Sequence, residues 1–479
     1  MITVFVLYLV LVLGIAVWSA LKAKTHEDYV IGGKKISGVS LALSERATGE
    51  SAWLILGLTG YAFTNGLSAI WVALGCVIGI VFIWLVMANP LRIATEKTGA
   101  MTIPSLLGRR FPGTEKPVGI ISSVIVVFFF VFYIAAQFSG AGKVFHDTFG
   151  LTPFWGMVIG AGIVTLYTFL GGFITVVATD VFQAVLMIFT LIVMPILLLV
   201  ILASHNISLA QKLSEAGPQM TSFTGGATGA AAVLLILNGL SWALGYTGQP
   251  QLLARMMALR NAKDSNTAQW VATLWTIIAY AGAILIGIAG YALIKGGVTG
   301  VDVAKVATDS EQIMPALVVG LMQPILAGIL LSGAVSAMMS TASSELIVCS
   351  SSMSEDLYSN VSKNPIKGAK MLLLNKLLTL GVGVLAILLV IFMKDTVYSL
   401  VSYAWAGIGS SFGPALLLLL FWKRFSRAGL YASLICGTVG AIVWKTSLME
   451  PTGISERLGS FVFAFLMAVV ASLVWPEKK

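Results

Sequence analysis

The sequence predicts an all-α polytopic membrane protein, and three observations carry that prediction. Of its 479 residues, 58% are hydrophobic and only 10% are charged, against the roughly 25% charged residues of a soluble domain. The apolar stretches run along the whole length, leaving no soluble domain of ordinary size to cut out. Lysine and arginine fall into alternate connecting segments, as they do where one side of a membrane retains positive charge.

A helix needs about 20 apolar residues to cross the hydrocarbon. Thirteen stretches qualify, near 2–22, 36–63, 66–90, 117–147, 153–172, 174–203, 229–249, 267–295, 325–353, 368–395, 397–421, 427–448 and 457–475. A short extra helix is expected at 312–322. The first stretch lacks the basic segment and small-residue cleavage site of a secretory signal, so it reads as a retained span. With the N-terminus outside and the C-terminus inside, the inner segments hold 20 basic residues and the outer ones 7. The inner set includes Lys22, Lys24, Lys35, Arg255, Arg260, Lys478 and Lys479; the outer set includes Lys394. Arg46 and Lys376 sit within spans. This distribution accounts for the net charge of +9 without nucleic acid. The pairs Gly75/Gly79 and Gly156/Gly160 have the spacing that lets helices approach closely. Cys76, Cys349 and Cys436 lie in apolar runs and read as small buried hydrophobes, not as a disulfide framework.

Four acidic residues fall inside spans: Glu45, Glu50, Asp180 and Glu345. An ionised group at the bilayer centre costs at least ~2.5–3.5 kcal/mol, so each requires a reason. Glu345 ends a hydroxyl-rich run, SAMMSTASSE, in which Ser336, Ser340, Ser343 and Ser344 share one helical face and Thr341 lies beside it. These hydroxyls either bond back to their own helix or form a row of oxygen ligands for a hard cation. Asp180 has no basic residue in its own helix, so it carries a proton, holds a cation or meets a partner from another helix.

The stretch LSERATGESAW at 43–53 predicts a local break at Gly49, with Glu45 and Arg46 pointing to different sides and different partners. A second weak stretch, LNGLSWALGYTGQP at 237–250, carries Gly239, Gly245, Gly248 and Pro250. Broken helices at corresponding positions of two halves mark the binding site of an inverted-repeat transporter. Setting the first helix aside, the second and seventh spans head two five-helix repeats.

Enzyme signatures are missing. His26, His146 and His205 lie in loops, and SGAGKV at 139–144 lacks the upstream glycine and following Ser or Thr of a phosphate loop. A channel would not need paired broken helices.

The segments DYVIGGKKISG at 28–38, the small-and-apolar run from Ser51, GGFITVVATDVFQ at 171–183, LSWALGYTGQPQLLARMMALR at 240–260 and MSTASSELIVCSSSMSEDLY at 339–358 resemble the sodium:solute symporter family, most of all its bacterial sodium/proline symporters. The resemblance implies a LeuT-type fold: an extra helix at 2–22, a first repeat at 36–203, a second at 229–421 and two further helices at 427–475. It implies a multi-pass transporter of the bacterial inner membrane that imports proline or a related amino acid with sodium. Another small carboxylate, or proton coupling, is the alternative. One sodium site would comprise the backbone oxygens of Ala47, Glu50 and Ala337 with the hydroxyls of Ser340 and Thr341. A second, found in some members, would match Asp180, Ser340, Ser343 and Ser344. Substrate positions would be Ser51, Tyr133, Trp242 and Tyr246, with Pro250 shaping the helix end. In one departure, sodium/proline symporters carry aspartate where this chain has Gly49. Glu50 then replaces that charge, binds a cationic group or a proton, or pairs with Arg46 four residues earlier.

Overall fold

The computed structural model describes residues 1–21, 25–34, 36–392 and 395–477. Lys22, Lys24, Lys35, Lys394, Lys478 and Lys479 of the charge pattern lie outside the described residues. Helices make up the regular structure, with no strand among the described residues. Among the described residues, eleven helical runs are long and apolar enough to cross a membrane.

Two of these runs far exceed one crossing. Pro153–Ser204 has 52 residues and Gly38–Thr98 has 61, whereas about 20 residues at 1.5 Å each span the hydrocarbon. Each turns where the sequence places a joint. Gly172 has φ 63° and ψ −148°, and a Cβ there would lie 2.4 Å from the Tyr29 ring. Gly66 has φ 57°, and a Cβ there would lie 2.3 Å from the Met220 carbonyl oxygen. Only glycine meets both the dihedral and the close approach.

Burial separates core from rim. In the apolar windows of Pro324–Val361, Val397–Phe421 and Glu115–Phe149, 83%, 78% and 67% of residues are buried; in those of Ile2–Ala20, Ala369–Phe392 and Arg427–Thr452 the share is 28%. The first three helices form the interior. The others present apolar side chains outward, where lipid replaces water.

Small residues set the packing, as expected where lipid removes the hydrophobic drive between helices. A Cβ on Gly75 would lie 2.6 Å from the Gly239 carbonyl, and one on Gly79 would lie 2.5 Å from the Tyr246 ring. The helix Ile70–Phe82 thus seats the seventh span. Gly156 and Gly160 pack on Gly142, Phe145 and Ala141. The three cysteines are free. Lys143, within the rejected phosphate-loop stretch, and His146 both lie near the end of the helix Glu115–Phe149, so His146 is not a loop residue; Lys143 pairs with Asp309 and Glu311 at 2.7 and 2.6 Å.

Candidate functional site

The helix Gly38–Ala52 begins on a Ser37 cap and ends in a break. That break is at Ser51, not at Gly49. Ser51 has φ 44° and ψ −176°, a strained conformation for a residue with a Cβ. Contacts from another helix hold it: Gln137 Oε1 accepts from the Ala52 N–H at 2.8 Å, and Tyr133 donates to Ser51 Oγ at 3.4 Å. Ser51 Oγ also accepts from the Trp53 N–H at 3.0 Å. Gly49 has a different reason to be glycine. A Cβ there would stand 3.1 Å from Arg46 Nη2 and 3.4 Å from Leu252.

Glu45 and Arg46 do not seek separate partners. Their side chains curl back on each other in a two-pronged pair: Arg46 Nε donates to Glu45 Oε2 at 2.6 Å, and Nη2 donates to Oε1. Trp84 donates to Glu45 at 2.9 Å, and Arg46 Nη1 donates to Thr276 at 3.1 Å. Glu50 stays outside this arrangement. It is fully buried, neither of its oxygens has a hydrogen-bond partner, and Arg46 Nη1 stands 3.9 Å away.

The hydroxyl run divides its tasks. Ser336 donates to Tyr8 at 3.0 Å and so faces the first helix. Ser340 donates to Asp180 Oδ1 at 2.6 Å. Thr341 donates to the carbonyl oxygens of Thr48 at 2.7 Å and Ala337 at 3.0 Å, stitching the broken span to its own helix. Ser344 lies 2.8 Å from the Thr48 hydroxyl. Ser343 turns away and donates to the Ser340 carbonyl at 2.9 Å. The buried Glu345 carboxylate has no hydrogen-bond partner.

Of the three options for Asp180, the structure has the partner from another helix. Arg255 Nη2 donates to Asp180 Oδ2 at 3.2 Å, to Ser344 at 2.5 Å and to Thr48 at 3.0 Å. Its Nε donates to Ser44 at 3.1 Å, and Nη1 donates to the Gln251 carbonyl at 2.5 Å. Ser44 completes the carboxylate at 2.5 Å. Arg255 is therefore no loop charge; it is 1% exposed and marks no membrane side. A sequence signal existed, since Arg255 is the one charge among the eight residues Pro250–Met257. Ser44 and Thr48, which no family motif singled out, complete the cluster.

The seventh span is broken as expected. Helices Gly229–Leu240 and Trp242–Tyr246 are followed by an extended Gln249, and Pro250 opens the helix Pro250–Met257. Trp405 anchors the gap: its indole donates to the Trp242 carbonyl at 3.2 Å, and its own carbonyl accepts from Gln249 at 3.2 Å. Gly245 is required here, because a Cβ would lie 2.0 Å from Trp405 Nε1. An aromatic cluster fills the middle. Trp53 and Trp242 have ring centroids 4.3 Å apart, Tyr246 lies 4.6 Å from Trp405, and Tyr133 lies 6.4 Å from it. The hydroxyls of Tyr246 and Tyr280 are 2.9 Å apart. Four predicted substrate positions, Ser51, Tyr133, Trp242 and Tyr246, thus belong to one cluster. Sequence reasoning missed Trp53, Tyr280 and Trp405, which read as ordinary span aromatics.

Two cavities flank this plug along the seventh span. One is lined by Leu234, Asn238, Tyr398 and Arg457 among others. The second is lined by Thr102, Pro250, Ala254, Arg255 and Ser344 among others. Trp242–Tyr246 lies between them in sequence, and Tyr398 packs on Trp242 at 5.8 Å.

Residues 29–437 match the sodium:solute symporter family. The osmoregulated proline transporter OpuE of Bacillus subtilis is 34% identical over 464 residues, covering 95% of this chain and 91% of the relative. The sodium/proline symporter of Escherichia coli is 33% identical over 477 residues, covering 99% and 93%. Among solved structures, a Na+-coupled sialic acid symporter in a substrate-bound outward-open state superposes with a TM-score of 0.82 at 17% identity, covering 100% of this chain and 99% of that one. MhsT in complex with L-phenylalanine gives 0.56 at 15% identity, covering 91% and 98%. At such identities the structural likeness speaks for the fold alone, and that fold is LeuT-type.

Proposed function

The chain belongs to the sodium:solute symporter family, and from that premise we propose that it imports proline, or an amino acid closely related to it, on an inward sodium gradient by alternating access. The observation that carries this reading is the aromatic plug Trp242–Tyr246 in a broken span, with a cavity toward each of its ends. A solute held between two such cavities reaches one side at a time if the plug and the facing helices rock. Family relatives named for proline transport supply the solute.

Sodium is assigned to the first oxygen set: the backbone oxygens of Ala47, Glu50 and Ala337 with the hydroxyls of Ser340 and Thr341. The Thr341 bridge to the Thr48 carbonyl brings these two elements within ligand reach, and neutral oxygens suit a hard monovalent ion. The second set, Asp180, Ser340, Ser343 and Ser344, supports a different assignment. Arg255 supplies the cation there, so a sodium ion would have to displace a guanidinium with five hydrogen bonds. We therefore assign one transported sodium. Ser51, Tyr133, Trp242 and Tyr246 line the substrate site, and Pro250 sets the start of the inner half-helix.

The same reading places the protein in a bacterial plasma membrane, N-terminus outside, with thirteen crossings. It divides the chain into an extra helix at 2–22, repeats at 36–203 and 229–421, and two added helices at 427–475.

Proteoliposomes carrying an inward sodium gradient test it. Labelled proline should accumulate, and collapsing the sodium gradient should abolish accumulation. Accumulation driven by a proton gradient without sodium, or accumulation of simple carboxylates but not amino acids, would replace this reading.

A further inference from the structure

We infer that the Glu50 carboxylate receives the ammonium group of the transported amino acid, while the indole N–H groups of Trp53 and Trp242 receive its carboxylate. The inference deepens the amino-acid reading above and rests on it.

Buried polar groups almost always have partners, and an unpartnered charge is the costliest exception. Glu50 is such an exception, with both oxygens unpartnered. Arg46 does not relieve it. That guanidinium is committed to Glu45 and Thr276, and its 3.9 Å approach to Glu50 exceeds hydrogen-bond reach. Asp180, by contrast, accepts hydrogen bonds from Ser44, Ser340 and Arg255.

The position of Glu50 fits a ligand. It immediately precedes the strained Ser51, at the lip of the break. The Arg46 Nη1 that stands 3.9 Å from Glu50 donates to Thr276, one turn before Tyr280 on the helix Ala262–Lys295, and the Trp275 indole N–H lies beside Glu50 outside hydrogen-bond geometry. The Tyr280 ring is 5.9 Å from Trp53, and its hydroxyl meets Tyr246. The carboxylate therefore borders the aromatic wall of the proposed substrate site.

That wall also carries unpartnered donors. Trp53 Nε1 and Trp242 Nε1 are both buried with no acceptor in hydrogen-bond geometry, the Tyr398 hydroxyl lying beside the second, on rings 4.3 Å apart. An anionic acceptor and two neutral donors bordering one apolar cage match a small zwitterion with an apolar body. The carboxylate end meets the indoles, the ammonium meets Glu50, and the ring packs on aromatic faces. A ligand without an amine would leave Glu50 unpaired, and buried groups left unpaired are what make such sites selective.

The test is equilibrium binding to the purified full chain in saturating sodium, using three probes: L-proline, cyclopentanecarboxylate (the same ring without the amine) and pyrrolidine (the ring without the carboxylate). The unaltered chain should prefer proline over cyclopentanecarboxylate by roughly tenfold or more, the worth of a hydrogen bond to a charged group. Glu50→Gln should weaken proline by about the same factor, leave cyclopentanecarboxylate within twofold and so erase the preference. Glu50→Asp, which keeps the charge, should keep the preference at weaker affinity, and it decides the matter if Glu50→Gln does not fold. Glu50→Gln with its preference intact, or Glu50→Asp without one, overturns the inference while leaving proline symport standing. An unaltered chain that binds cyclopentanecarboxylate but no amino acid overturns both.

Discussion

Asp180 and Glu50 are both fully buried carboxylates beside the broken second span, yet their surroundings are opposite. Asp180 accepts from Ser44, Ser340 and Arg255, so its charge is balanced within the fold. Glu50 accepts no hydrogen bond, and its nearest cation, Arg46, stands 3.9 Å away and is bonded to Glu45. At Asp180 a guanidinium hydrogen-bonded to the carboxylate ties helices together; at Glu50 the nearest guanidinium stays 3.9 Å off, which leaves the carboxylate oxygens open to a molecule that comes and goes.

Removing the resident cation should have the largest effect. Arg255→Gln should leave Asp180 buried with hydroxyls only and lower stability by about 3–5 kcal/mol, the usual result of breaking one side of a buried pair. Exposure of the buried Cys76 and Cys349 to a thiol-reactive dye during heating would read it. Adding Asp180→Asn to that chain should restore most of the loss, because this cluster then holds no unpaired charge.

A smaller effect of opposite sign should separate the two carboxylates directly. In the ligand-free chain, Asp180→Asn should lower the unfolding midpoint, since it weakens a satisfied network. Glu50→Gln should raise the midpoint while uptake falls, since it removes a buried charge that has no hydrogen-bond partner. The Asp180→Asn loss should be about 3–5 kcal/mol, as for the other side of the same buried pair, and the Glu50→Gln gain on the order of 1–3 kcal/mol. Two midpoints moving in the same direction would end the distinction.

How far the sequence could go is visible in these residues. The span joints were legible, because Gly66 and Gly172 turn the chain with dihedrals that glycine alone adopts readily. Broken helices were legible as a pair. The exact break was not, since Ser51 is held in its strained state by Gln137 and Tyr133, more than 80 residues away. The pairing of Glu45 with Arg46 escaped a rule based on Cα directions, because both side chains are long enough to bend back and Trp84 and Thr276 fix them there. Arg255 looked like a loop charge because its partner Asp180 lies 75 residues earlier, and nothing local announces the meeting.

Within the hydroxyl run the effects should be smaller still, and unequal. Thr341→Ala should raise the sodium concentration for half-maximal uptake roughly tenfold, as for one lost interaction with a charge. Ser340→Ala should do the same and also loosen Asp180. Ser343→Ala should change sodium dependence less than about twofold, because its hydroxyl bonds back to its own helix, an arrangement worth little to stability. An equal response at Thr341 and Ser343 would contradict the assignment of the sodium oxygens.

The most direct measurement is the number of sodium ions moved with each proline, read from the membrane potential at which net uptake in proteoliposomes reverses under fixed gradients. Arg255 standing as the cation of the Asp180 cluster predicts one sodium per proline, and the same value for any Asp180→Asn chain that remains folded. Two sodium ions per proline, falling to one in Asp180→Asn, would show that Asp180 serves a transported ion and that Arg255 gives way to it.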